Sequence, residues 1–300
     1  MKKKTYLFAL MAMALTLGSC SDNENGIGGE TSKYITVSTS IGNMTRVATD
    51  ANGGQTFEEG DEISVYAWIG APTVAPETSE RVVNNAINKL TNGAWVATPQ
   101  MLWKNNRDKH YFIGVYPTAA ISDLSAGEYT FDANKQTESD LLVAVNPDGL
   151  SYSADAQQTV PLTFTHVMSK LAVNLTYKNQ WGGIPTVEKV VVGNAAKEAT
   201  INYLTKVVTP STTAKEDFSL PEITENTKYV SVIIPQEEVK QLTIVIGGKN
   251  FVYDNGTPFK LESGKITTVN LEVGRDEIKL GDVKITNWED GSTFSGEALN

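Results

Sequence analysis

One cysteine, two histidines and no long apolar run beyond the first two dozen residues leave this 300-residue chain few of the usual means of chemistry. With Cys20 as the only thiol, the body can form no internal disulfide, no thiolate zinc site and no cysteine nucleophile. His110 and His166 lie far apart with neither HxxxH nor HxH spacing, so they read as a turn residue and a packed or capping residue, not as half a metal site. The glycine clusters Gly26–Gly29, Gly53-Gly54 and Gly182-Gly183 lack the Lys-Ser/Thr that follows a phosphate loop, and Gly-x-Ser-x-Gly does not occur. Carboxylates pair up as neighbours at Glu58-Glu59, Asp61-Glu62, Glu237-Glu238, Asp276-Glu277 and Glu289-Asp290. Adjacent residues of a strand point to opposite faces, so such pairs do not converge on one substrate atom. No catalytic constellation, cofactor site or metal site emerges. Basic residues are also short: the net charge of −10 opposes binding to nucleic acid.

What is present begins at the N-terminus. Lys2, Lys3 and Lys4 precede an apolar stretch, Tyr6 to Leu17, and Leu17-Gly18-Ser19 runs into Cys20. About 12 apolar residues are too few to span a bilayer as a helix, which leaves a secretory signal. The pattern resembles the bacterial lipobox, with residues 1–19 removed and Cys20 acylated. Losing the three lysines would take the charge from −10 to −13. Residues 20–33 are polar, acidic and Gly-rich, a flexible tether that resembles the surface-export signals of Bacteroidetes lipoproteins.

The remaining chain reads as strand after strand. Ile35, Val37, Thr39 and Ile41 alternate with Thr36, Ser38 and Ser40, a period of two that marks a half-buried strand. Further strands are expected at 63–69, 111–116, 140–145, 160–164, 167–177, 187–192, 199–204, 229–234 and 266–273. A hairpin is expected through Gly247-Gly248, joining 242–246 to 250–253. Over 277–288 the alternation slips: Ile278 and Leu280 keep one phase, Val283 and Ile285 the other, so a β-bulge at Gly281-Asp282 is predicted. Residues 80–90 fit either a short helix or a strand. Together these features predict an all-β protein of two tandem β-sandwich domains, 34–158 and 159–300, parting in the small polar stretch Ser151–Thr159.

Several segments in order resemble the fimbrillin family of Bacteroidetes, the subunits of type V pili: FEEGDEI at 57–63, Trp103 ahead of a strand ending in Tyr116-Pro117, DLLVA at 140–144, LTFTHVMSKL at 162–171 and ITNWEDG at 285–291. The resemblance implies sandwiches of transthyretin-like, Greek-key topology, no enzymatic activity, and a structural role for His166. It also implies a life history of lipoprotein export to the cell outer membrane, then proteolysis after an arginine beyond the first strand, Arg46-Val47 in this chain. The vacated groove would be refilled by the C-terminal segment of another fimbrial subunit. Here that segment is 277–300, with Ile278, Leu280, Val283 and Ile285 as apolar plugs. Partners would be other fimbrial subunits, the outer membrane through the lipid before processing, and a host or bacterial surface ligand. An alternative follows from Trp68, Trp95, Trp103, Trp181 and Trp288: exposed, they would form sugar-stacking platforms of a glycan-binding lipoprotein; buried, they are core.

Overall fold

The computed structural model describes residues 33–42, 56–153 and 158–288. Apart from two short 3-10 turns, Thr78–Glu80 and Asn179–Trp181, their regular structure is all strand. The first sheet holds seven strands, in the spatial order β1 (Thr36–Ile41), β8 (Thr159–His166), β7 (Leu142–Leu150), β5 (His110–Tyr116), β2 (Glu62–Ile69), β3 (Val83–Thr91) and β4 (Ala94–Thr98). β1 joins β8 in parallel, whereas the other neighbours pair antiparallel. The sheet curls until its edges approach, with Ile35 N–H donating to the Met101 carbonyl at 3.0 Å. One core lies inside the curl, where Ile63, Val65, Phe112, Leu162 and Phe164 gather round Ile35 and Val37.

The other face of the same sheet is buried too. Tyr66, Trp68, Ile113, Val115 and Val143 point outward into a second core shared with the rest of the chain. This explains why EISVYAWI at 62–69 is apolar at nearly every position: a strand covered on both faces has no side to leave polar. Residues 83–90 belong to β3, and Asn85 sits at φ 57° beside a register shift between the pairs Val65–Ala86 and Ala67–Val83. That bulge moves Ala86 and Ile87 out of phase with Val83 and so imitates helical spacing.

In the second half, a five-stranded sheet orders β14 (Glu222–Thr224), β15 (Lys228–Ile233), β9 (Ser169–Tyr177), β18 (Lys265–Val273) and β19 (Ile278–Asn287). It shares the second core with a four-stranded sheet of β13 (Lys215–Leu220), β10 (Val187–Ala196), β16 (Gln236–Ile246) and β17 (Lys249–Leu261). The predicted Gly247-Gly248 hairpin is present, both glycines at positive φ. The predicted bulge is present as well: Leu271 faces Leu280 and Asn270 faces Asp282, leaving Gly281 over.

A small third sheet joins the halves. β6 (Gly127–Thr130) leaves the first half to pair with β11 (Glu198–Asn202), whose other neighbour is β12 (Val207–Pro210). The division expected between residues 158 and 159 therefore needs correction. Strand 159–166 belongs to the first sheet, pairing with β7 and β1, so the polar stretch before it does not divide two domains. The sheets part after His166, and β6 crosses the junction.

At that junction the His166 ring stacks on Trp288 at 4.0 Å, and its Nδ1 lies 2.8 Å from the Asp140 carboxylate. The Lys170 ammonium sits over the Trp288 ring at 4.3 Å. Burial pulls that ammonium below its ordinary range, with Asp140 opposing. His110 is likewise enclosed. Its Nε2 accepts from the Lys104 N–H at 3.1 Å, so its Nδ1–H donates to the Asp108 carbonyl, also at 3.1 Å. Both histidines are structural.

Two tests follow. Burial holds the His110 imidazole below its usual pKa, the Asp108 carbonyl only partly opposing. The unfolded chain binds a proton near the ordinary histidine value of about 6.5 while native His110 does not. The stability this ring contributes is therefore complete above that pH and lost as pH falls toward the folded value, and denaturant titrations on His110→Gln should show a flatter pH dependence below about pH 6.5. At Gly114 an added Cβ would meet Phe164 Cζ at 2.6 Å, so Gly114→Ala should cost about 1–3 kcal/mol of unfolding free energy in the same measurement.

Candidate functional site

β1 is the first strand of the body and lies in a seam. On one side its six residues run parallel to β8, Thr36 opposite Thr159 through Ile41 opposite Phe164. On the other, Lys33–Ile35 meet residues 101–103: Tyr34 bridges Leu102, Ile35 N–H donates to Met101 O, and Trp103 N–H donates to Lys33 O at 3.2 Å. Gly42 N–H closes the far end on the Phe164 carbonyl at 2.7 Å. Hydroxyl contacts add to the outer rim, Thr36 to Thr159 and Ser40 to Thr163, both at 3.2 Å.

The alternation read from the sequence sets which side chains plug the seam. Ile35, 1% exposed, and Val37, 6% exposed, enter the inner core with Trp103, Tyr152 and Val160. Each contributes about 1.5–3 kcal/mol by burial. Thr39 and Ile41 follow, half-buried, and Thr39 Oγ1 accepts a hydrogen bond from Trp95 Nε1 at 3.0 Å. Ser38 and Ser40 face solvent. Remove residues 33–42 and the seam becomes a groove with four pockets, those of Ile35, Val37, Thr39 and Ile41, one indole N–H, and unpaired backbone groups along β8 and residues 101–103. Buried unpaired groups cost about 1–3 kcal/mol each, so such a groove templates a replacement strand.

Among the described residues, β1 runs only from 36 to 41 and the body resumes at 56. Arg46 and Val47 belong to the stretch between and lie outside the described residues, as does Cys20. Ile278 and Leu280 are half-buried in β19, an edge strand of the five-stranded sheet; Val283 and Ile285 are each 38% exposed. β19 bonds β18 on one side only.

The tryptophans do not form a platform. Trp68, Trp103 and Trp288 are buried in the cores. Trp95 packs its ring edge-to-face with Phe57, and Trp181 packs against Phe251 while its Nε1–H donates to the Val273 carbonyl at 3.0 Å. No three His, Cys, Asp or Glu residues among those described gather as a metal site. Sequence reading named Trp95 only as a sugar platform or a core residue and missed its place in the seam, along with the 101–103 wall. The signal was Asn92-Gly93, a hairpin turn pair with both residues at positive φ that delivers β4 and Trp95 to the sheet edge.

The fimbrillin-like family profile matches residues 45–288 of this chain. Among solved structures, the chain is similar to a protein assigned to cell adhesion from Bacteroides uniformis, at 17% identity over 86% of this chain and 100% of that one, TM-score 0.65. A second such protein, from Bacteroides ovatus, matches at 17% identity over 85% and 98%, TM-score 0.64. A fimbrial protein from Bacteroides vulgatus matches at 12% identity over 84% and 99%, TM-score 0.51. At such identities the likeness speaks for the fold. No curated protein matches the chain by sequence. The family profile covers well over half the chain, so the chain belongs to the fimbrillin-like family and is a structural fimbrial subunit of the cell surface, not an enzyme.

Proposed function

We propose that this fimbrial subunit reaches the outer membrane as a lipoprotein acylated at Cys20 and enters its fimbria by strand exchange after cleavage between Arg46 and Val47. The observation that carries the reading is the seating of β1. It is the first strand of the body and an edge strand, it is buried by side chains of its own, and beyond residue 42 only the stretch holding Arg46 ties it to the rest. A cut there leaves the strand held by non-covalent contacts alone. The replacement is the C-terminal segment 277–300 of another subunit, with Ile278, Leu280, Val283 and Ile285 as candidate plugs. The glycan-binding alternative finds no support in the placement of the five tryptophans.

Two outcomes are expected. Protein extracted from membranes should carry its acyl chains on Cys20 by mass spectrometry and lose them in Cys20→Ala; two or more acyl chains suffice for stable anchoring. Treatment of the mature chain with an arginine-specific protease should give a Val47 N-terminus and a ladder of oligomers on native gels, absent in Arg46→Ala. A body that loses residues up to Arg46 and remains a folded monomer would defeat strand exchange.

A further inference from the structure

Resting on strand exchange but going beyond it, we propose that Trp95 selects the incoming strand: its indole N–H requires an oxygen acceptor at the third inward position. Four side chains of residues 35–41 point into the seam, Ile35, Val37, Thr39 and Ile41, and the third is the one that meets a donor, Trp95 Nε1 at 3.0 Å. The indole is not free to turn away. Phe57 packs edge-to-face on it at 5.3 Å, and Phe57 itself is held the same way by Tyr116 at 5.3 Å and Phe164 at 5.1 Å. β4 fixes the backbone of Trp95 opposite Leu90. With β1 gone, the N–H stays aimed at the third pocket. A strand with an aliphatic residue there covers the donor without pairing it; a strand with a hydroxyl or amide oxygen pairs it.

This requirement chooses a register for a second copy of the chain. β1 lies against β8 without a bulge, so a replacement must alternate strictly. In β19 the extra residue Gly281 breaks alternation, and Ile278 with Leu280 cannot share a face with Val283 and Ile285 once the strand is straight. Entering in the direction of β1, the first pair brings the Asp282 carboxylate to Trp95, the second brings Asn287. A neutral amide oxygen costs less to desolvate than a carboxylate. Val283 and Ile285 are also the exposed aliphatic residues of β19, while Ile278 and Leu280 are half-buried in their own sandwich. Entering in the opposite direction, the two pairs bring Gly281, which has no side-chain acceptor, or the Asp276 carboxylate. The selected register is thus parallel to β8, with Val283, Ile285 and Asn287 replacing Ile35, Val37 and Thr39.

The test uses the mature chain with residues 45–48 replaced by a single-site protease sequence, cut, and exchanged with a labelled peptide of residues 33–42. Competing peptides are read by the loss of label. The Thr39→Val peptide should bind about five- to tenfold more weakly than the parent, and Thr39→Ser within about threefold of it, since only valine leaves the N–H unpaired. In a Trp95→Phe body the Val penalty should vanish; if that body does not fold, the Ser–Val comparison decides alone. A peptide of residues 281–290 should compete, and its Asn287→Leu form should be weaker by a similar factor. Equal binding of the Ser and Val peptides overturns the role of Trp95 while leaving strand exchange standing. If no peptide of residues 33–42 exchanges at all, strand exchange itself falls and this selection with it.

Discussion

Everything at the N-terminal end of the molecule depends on one parallel ladder, six residues long, between the first strand of the body and β8. Parallel partners cannot be joined by a tight turn, so a chain that pairs its first strand this way must travel far before the partner arrives. Here more than a hundred residues intervene, and the sheet meanwhile builds outward through β2, β3 and β4 before curling back. The seam is therefore the last piece of the first sheet that can close. Its filler is held by side chains and backbone, with little covalent constraint. A strand placed in that way is separable in a manner that no interior strand of the same sheet is.

The cores explain why separation need not be ruinous. Seven strands contribute to the inner core, and residues 35–41 supply only Ile35 and Val37 as fully buried members. The second core draws nothing from β1 and is shared between the outward face of the first sheet and both sheets of the second half. Losing the strand damages one wall of one core.

Much of this was legible from alternation. The period of two in 35–41 placed β1, the phase slip at Gly281 placed the bulge, and Gly247-Gly248 placed a hairpin, because each is a local backbone demand. The failures share a cause. The stretch 151–159 is polar enough for a linker, yet it joins two strands of one sheet; composition reports exposure, not connectivity. Residues 80–90 left helix and strand both open, and a strand formed, because a positive-φ asparagine inserts a residue that mimics helical spacing. Trp95 was undervalued because its importance comes from Thr39, a partner 56 residues away, and long-range pairing leaves no local mark.

The lacing of the two halves by β6 has a mechanical side. Under the proposed strand exchange, a subunit in a filament would be pulled at the place where it receives a strand and at the place where it gives one. Tension along a strand seated beside β8 would load its ladder lengthwise, so the bonds of the row must yield together, whereas a crosswise pull would open them one after another like a zip. Between those two grips the strain must cross the joint near His166. Across it the β6–β11 pairing ties the halves together independently of both exchanged strands, so force would cross through a ladder of backbone bonds.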